Sequence, residues 1–384
     1  MRGSVAIAGV GLAGCGEAPG WTEMEIAAAA AKNALDDAGL TARDVDGLVV
    51  ASTNIFMSGL ALAEHLGVQP AFTESTMVGG SSFVGHLIPA ALALNAGLCD
   101  TVLVAYGSNQ RTGTGRAEAG RHKVALDPQP FEHPYQPFNP PTSYALAAAR
   151  HMHQYGTRRE QLAAIAVAAR KWAQLNPEAF AREPLTLDDV LGSRMVSDPL
   201  TVRDCCLVTD GGGAYVLTRA ERAKDFPKPP AFLLGVGAAH WHRQISSMPD
   251  LTVTAATESG RRAYEMAGLG SEDVDVLELY DAFTINTLLF LEDLGFCDKG
   301  EGGGFVAGGR IAPGGALPVN TNGGGLSCVH PGMYGIFLIV EAVRQLRGEA
   351  GARQVKDAAV ALTHGNGGVL SSQITALFGT QDTL

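Results

Sequence analysis

Short apolar runs alternate along the chain with longer segments of helical periodicity. The runs over 5–11, 47–50, 101–105, 232–237, 276–279 and 358–363 read as buried strands, being rich in Val, Leu, Ile and Ala and bounded by turn-forming or charged residues. Helices are predicted from about Thr22 and over 83–96, 143–155, 159–175 and 334–346. This alternation predicts an α/β architecture on a mostly parallel sheet covered on both faces. The helices over 83–96 and 334–346 are apolar on nearly every side, as in Ala90-Ala91-Leu92-Ala93-Leu94. Helices of that kind are normally buried, so both are expected between two sheets.

The pattern occurs twice. Ala38-Gly39-Leu40, then Asp44-Val45-Asp46 and a strand, recurs as Ala267-Gly268-Leu269, then Asp273-Val274-Asp275 and a strand, at a constant offset of 229 residues. Upstream, the strand 5–11 is echoed by 232–237. Downstream, a glycine-rich turn, an apolar helix and a buried strand follow in both copies, over 79–107 and 323–365. Two similar halves are therefore expected. Between them, about 109–200 is rich in proline (Pro128, Pro130, Pro134, Pro137, Pro140, Pro141) and reads as an inserted cap.

Composition narrows the function. With 384 residues, 46% of them hydrophobic, the chain can bury a large core, which excludes a disordered protein. A net charge of -11 argues against a nucleic-acid backbone or an anionic membrane as the main partner. Only 17% of residues are charged and 48 are glycine, which suggests extensive subunit contact and many tight turns. Six irregularly spaced cysteines without a CxxC pair form neither a disulfide framework nor a zinc site, and a reduced cytoplasm is expected. Leu12-Ala13-Gly14-Cys15 resembles a lipoprotein cleavage site, but a single Arg2 and interrupting glycines argue against export. Gly9-Val10-Gly11-Leu12-Ala13-Gly14 spells GxGxxG. A dinucleotide fingerprint needs a helix opening at those glycines, and here Gly16, Pro19 and Gly20 come first. His240-Trp241-His242 alternates two possible metal ligands but lacks a third cluster.

Three blocks carry chemistry: Tyr280-Asp281-Ala282-Phe283 after a strand, Asn320-Thr321-Asn322-Gly323-Gly324-Gly325 running to His330-Pro331-Gly332, and His364-Gly365-Asn366-Gly367-Gly368. With them the chain resembles the thiolase superfamily over essentially its whole length. The resemblance implies a thiolase-like five-layer αβαβα fold: an N-terminal half over 1–230 that includes the inserted region about 109–200, and a C-terminal half over 231–384. It also implies a homodimer acting on a coenzyme A thioester, with no tightly bound cofactor and no metal. Where such enzymes carry their nucleophilic cysteine, this chain has about Met77; their acid/base cysteine aligns with His364 and the Asn or His of their third motif with Tyr280. A thioether cannot form an acyl-enzyme.

This pattern is similar to the lipid-transfer, thiolase-like subgroup of sterol carrier protein thiolase relatives, and within it to bacterial steroid side-chain aldolases. These cleave a β-hydroxyacyl-CoA into a ketone and a shorter acyl-CoA and work with a zinc-ribbon and oligonucleotide-fold (OB-fold) partner. By motif, their active-site tyrosines correspond to Tyr280 and Tyr334. A retro-aldol cleavage needs a base for the β-hydroxyl proton and a donor for the enolate. Tyr280 or Tyr334 is expected as the base, His330 with backbone amides as the oxyanion hole, and His364 as a proton relay or thioester contact. Met77, Asp281, Asn320, Gly324, Gly325 and Asn366 are expected to contact substrate. Cys328, two residues before His330, supports a rival reading as a thiolase with a relocated nucleophile. A non-catalytic lipid-carrier subunit is the third. In the insert, Glu132-His133-Pro134-Tyr135 is a candidate for reaching the pocket, and Arg170, Lys171 and Trp172 read as a solvated helix face or a coenzyme A contact.

Overall fold

The computed structural model describes residues 1–113 and 132–384, which leaves Pro128 and Pro130 of the insert outside the described residues. Nine strands form the main sheet: β1 (Val5–Gly16), β2 (Gly47–Val50), β3 (Phe72–Glu74), β4 (Thr101–Ser108), β5 (Asp210–Arg219), β6 (Ala231–His240), β7 (Val276–Leu279), β8 (Val360–Gly367) and β9 (Ser372–Gly379). Their spatial order is β3-β2-β4-β5-β1-β6-β9-β8-β7. The order is nearly mirrored about its middle: β2-β4-β5-β1 in the first run corresponds to β7-β8-β9-β6 in the second. The runs meet only where β1 pairs with β6, through Ala6 with Phe232 and Ile7 with Ala231.

The sheet is mixed rather than mostly parallel. Five of its eight pairings are antiparallel. The alternation of strands and helices reveals only the crossover-connected strands. β5 enters after the long insert and β9 by direct reversal from β8, so each slots in antiparallel between two strands already laid down.

The main helices are α1 (Glu23–Ala38), α2 (Ser58–Leu66), α3 (Leu87–Asn95), α4 (Pro141–Tyr155), α5 (Arg159–Gln174), α6 (Ala256–Ala267), α7 (Thr284–Asp293) and α8 (Gly335–Leu346). α1 starts at a capping box in which the Thr22 hydroxyl accepts from Glu25 N–H, and it ends on a left-handed Gly39. It covers the outer face of β1, β4 and β5, and α6 covers β6 and β9. α8 packs against β7 and β8 on one side and β1 and β5 on the other, so it lies between the two half-sheets with the short helix Ser82–Gly85 and α3. The result is five layers, αβαβα.

The glycines of the GxGxxG serve packing. A Cβ at Gly9 or Gly11 would collide with the backbone of α1 at Ala34, and one at Gly235 or Gly237 with α6 at Ala263 and Ser259. All four lie inside strands and let a helix backbone press onto the sheet. The Asp-Val-Asp repeat has one job in both copies: Asp46 accepts from the amides of Asp100 and Thr101, and Asp275 from those of Ala359 and Val360. Each carboxylate fixes the entry of the neighbouring strand.

Candidate active site

Two glycine turns and one strand end converge at the centre of the molecule. β7 runs into Tyr280, whose amide donates to His364 O on β8. Asn320, at a positive φ of 52°, accepts from Leu279 N–H through Oδ1 at 2.6 Å and so fixes the approach to Tyr280. Asp281 accepts from Gly325 N–H at 2.6 Å and Leu326 N–H at 3.3 Å. Burial drives its carboxyl up to about 7 while those backbone donors oppose the rise. A Cβ at Gly324, whose φ is 66°, would collide with the Asp281 carboxylate. Asp281, Asn320, Gly324 and Gly325 therefore form the frame that shapes the turn.

Within that frame three rings meet. Tyr280 sits edge-on to His330 with centroids 5.6 Å apart and edge-on to Tyr334 at 5.7 Å, and the His330 and Tyr334 rings stack at 6.1 Å. Gly80, in the first-half turn, has no room for a side chain because a Cβ would overlap the Tyr280 ring and hydroxyl. Gly335, at the start of α8, would collide likewise with Gly80 O.

The hydroxyls have definite partners. Tyr280 donates to Gly332 O and accepts from Tyr334 N–H, both at 3.2 Å. Tyr106, at the end of β4, makes the same clamp one residue earlier, donating to Pro331 O and accepting from Met333 N–H. Two tyrosine hydroxyls thus grip the segment that carries His330 and Tyr334. Tyr334 donates to Asn322 Oδ1 at 3.0 Å, and Asn322 also accepts from Gly324 N–H.

Burial raises the phenols of Tyr280 and Tyr334 well above their ordinary value. Tyr334 N–H opposes the rise at Tyr280 while Cys206, Tyr144 and Tyr106 add to it; Asp281, Cys328 and Glu278 add to the rise at Tyr334 while Asn322 opposes it. His330 is held by hydrogen bonds between its backbone and Thr209. Burial lowers its imidazole to about 4, so the ring is neutral at pH 7. Its Nε2 is buried without a hydrogen-bond partner among the described residues.

Other expected residues lie elsewhere. Successive residues of β8 point to opposite faces. Gly365, not His364, faces the glycine turn at Ser81. His364 points the other way, against Phe290, with Nδ1 on Thr375 and Nε2 on Gln373, and burial takes it down to about 3. His364 therefore does not join the ring cluster, contrary to its expected role as a relay or thioester contact there. Asn366 shares the His364 face and donates to the Tyr144 hydroxyl. Met77 is 47% exposed, and its sulfur accepts from Gly79 N–H instead of lining the ring cluster.

Cys328 is buried beside Asn176, and burial pushes its thiol far up, which removes it as a ready nucleophile. The thiol close enough to perturb Tyr280 and Tyr144 is Cys206, also driven up by burial. Arg170 is not on a solvated face: it is buried, with Nε on Ser327 and Nη1 on Glu183 O, and Trp172 is buried with it. Glu132 accepts from Ser246, and Tyr135 is exposed. His240 bonds Ser372 and His242 bonds Val369 O. Among the described residues no cluster of His, Cys, Asp and Glu could hold a metal ion, and no helix is long and apolar enough to cross a membrane.

Sequence reasoning passed over Tyr106, Tyr144 and Asn322. Asn322 lies inside a quoted block. Tyr106, next to Gly107 at a strand end, gives a weak local signal. Tyr144, on an insert helix, gives none.

A five-layer αβαβα fold with Tyr and His on its glycine turns defines the thiolase-fold class, and the comparisons bear this out. Residues 237–380 match the thiolase C-terminal domain-like family. A steroid side-chain-cleaving aldolase of Thermomonospora curvata is 36% identical, over 91% of each chain. A 17-hydroxy-3-oxo-4-pregnene-20-carboxyl-CoA lyase of Mycobacterium tuberculosis is 34% identical, over 91% of this chain and 92% of the relative. An acetyl-CoA acetyltransferase of Methanothermobacter thermautotrophicus is 34% identical, over 97% and 99%. The solved Ltp2-ChsH2(DUF35) aldolase superposes with a TM-score of 0.88 at 32% identity, covering 99% of this chain and 98% of that one. The chain belongs to the thiolase superfamily, in the thiolase-like group that contains the steroid side-chain aldolases, and it is an enzyme of that superfamily.

Proposed function

We propose that this protein is an acyl-CoA carbon–carbon lyase, a retro-aldolase that splits a bulky β-hydroxyacyl-CoA into a carbonyl product and a shorter acyl-CoA. The observation that carries the reading is the neutral, buried His330, whose Nε2 lies beside two tyrosines without a hydrogen-bond partner among the described residues. In the Nε2–H tautomer it is a donor held ready for a thioester oxygen, and a donor in a dry site acts most strongly where negative charge develops.

The reaction balances on one hydroxyl. Tyr280 is a neutral phenol, so it works as a relay: it hands its own hydroxyl proton to Cα as its oxygen takes the β-hydroxyl proton, the Cα–Cβ electron pair passing through a thioester enolate held by His330 while a carbonyl forms at Cβ. No proton or electron is consumed and no covalent acyl-enzyme forms, so the missing thiolase cysteine costs nothing. Tyr280 suits this relay because its hydroxyl both accepts, from Tyr334 N–H, and donates, to Gly332 O, while the Tyr334 hydroxyl is engaged by Asn322 and its ring stacks on His330.

Similarity to the steroid side-chain-cleaving aldolase, the carboxyl-CoA lyase and the Ltp2-ChsH2(DUF35) aldolase supports the reaction class, a steroid-type acyl group and a partner protein; that the partner is a zinc-ribbon/OB-fold protein and this chain a homodimer is what the family resemblance implies. Similarity to the acetyltransferase favours a second reading, thiolytic cleavage of a β-ketoacyl-CoA; its candidate thiol is Cys206, which neighbours Tyr280 but, like Cys328, is driven up by burial and needs a base to act. Replacing Cys206 with Ala and assaying both reactions separates the two. Retained aldol cleavage supports the lyase, and loss of a coenzyme A-dependent activity supports the thiolase.

A further inference from the structure

Behind Tyr280 lies a second polar assembly that the relay above does not use. Tyr144, on insert helix α4, stacks on Phe283 at 4.3 Å and places its hydroxyl between Asn366 Nδ2, at 2.9 Å, and Gly368 O, at 3.0 Å. A line of side chains positions it. Thr375 bonds His364 Nδ1, His364 Nε2 meets Gln373 Oε1, Gln373 Nε2 donates to Asn366 Oδ1, and Asn366 donates to Tyr144. Each side-chain amide both accepts and donates, so the line runs in one direction and ends on the Tyr144 oxygen.

Beside that oxygen is Asn286, on helix α7, just before its apolar run 288–291. Burial takes the Tyr144 phenol to about 12, opposed by Asn366 and by the nearby Asn286 amide, which approaches the hydroxyl without closing a hydrogen bond of ordinary length and angle. Asn286 is fully buried, yet neither Nδ2 nor Oδ1 has a hydrogen-bond partner among the described residues, and neither does Oγ1 of neighbouring Thr287. A buried amide left this way costs several kcal/mol in a site with no function, and a single apolar residue would remove that cost. Phe290 and Leu289 on the same helix show that apolar residues are accommodated there.

An unpartnered donor and an unpartnered acceptor on one side chain match a group that is itself both, which is a hydroxyl. A ketone only accepts, and a methylene does neither. We infer that Asn286, with Tyr144, is the specificity-determining seat for the substrate's β-hydroxyl, holding the oxygen whose proton neighbouring Tyr280 takes, so that the site selects a hydroxyacyl thioester over its deoxy and keto counterparts. The inference rests on the lyase reading and assigns His364 and Asn366 as positioning residues that act through Tyr144.

The test measures binding by calorimetry, with 17-hydroxy-3-oxo-4-pregnene-20-carboxyl-CoA and its 17-deoxy analogue as probes. The protein is used with whatever partner it retains on purification. Wild type should favour the hydroxy thioester. Asn286→Leu should weaken that ligand roughly tenfold to a hundredfold, leave the deoxy analogue unchanged or tighter, and keep or raise the thermal midpoint. Tyr144→Phe, whose fold is less exposed to repacking of α7, should show the same selective loss. Equal weakening of both ligands in both variants, or an unchanged ratio, overturns the inference. Wild-type turnover is recorded separately: its absence on the hydroxy thioester sinks the lyase reading, while turnover with an unchanged binding ratio sinks the hydroxyl seat alone.

Discussion

Removing the Tyr280 hydroxyl separates what it holds together from what it does. In Tyr280→Phe, Gly332 O and Tyr334 N–H both lose their partner, each now 3.2 Å from it. An orphaned buried group costs about 1–3 kcal/mol, and long bonds fall at the low end, so the expected loss is roughly 2 kcal/mol in total. Tyr106→Phe orphans Pro331 O and Met333 N–H in the same segment, so it should destabilise by a similar amount. Both are read as urea midpoints. Turnover should diverge: removing a proton-transferring group costs about 10²–10⁴ in rate, or roughly 3–5 kcal/mol of barrier. Tyr280→Phe should show that loss, and Tyr106→Phe only the smaller effect of a loosened loop. Equal turnover losses in the two variants would refute the relay and leave Tyr280 as a clamp.

Gly80→Ala should displace the Tyr280 ring, costing roughly 1–3 kcal/mol of stability as overpacking and abolishing turnover; wild-type activity in that variant would contradict the observed contact. Cys328→Ala should leave turnover intact, because the thiol is buried, protonated and turned toward Asn176; a steady-state assay that finds it inactive would revive the relocated nucleophile. Stability should fall in acid. His86, His330 and His364 have folded values of about 4, 4 and 3 against 6.5 unfolded, so below 6.5 the unfolded chain binds more protons. Their contribution is intact above pH 6.5 and lost as pH falls through 4 toward 3, by about 3 kcal/mol each for His86 and His330 and about 5 kcal/mol for His364 when fully expressed; urea midpoints that stay level between pH 7 and 5 would contradict it.

The fold was legible where sequence and geometry are tied by one device. Asp46 and Asp275 repeat because each pins the same strand entry, and Gly9, Gly11, Gly235 and Gly237 repeat because each admits a helix backbone. Strands β5 and β9 were missed: Gly211-Gly212-Gly213 thins the apolar signal of one, and no helix separates the other from β8. With them went the antiparallel character of the sheet.

At the site, Tyr280, His330 and Tyr334 were legible because polar rings among glycines at strand and helix ends have few structural uses. His364 looked equivalent, but a strand reverses its facing at every residue, and it is Gly365 that faces the glycine turn while the His364 ring lies on the opposite face. Tyr106 and Tyr144 reach the site from 174 and 136 residues before Tyr280. Only tertiary packing brings them in. Asn286 did carry a local sign, a carboxamide two residues before the apolar run 288–291.

The most direct test incubates the protein, with any captured partner, with a β-hydroxyacyl-CoA in the absence of free coenzyme A. Products are followed by chromatography and the protein by intact mass. The account predicts equal amounts of a ketone and a shortened acyl-CoA, and an unmodified protein mass throughout. Cleavage that requires free coenzyme A and a β-ketoacyl substrate, with an acyl adduct on a cysteine, would contradict it.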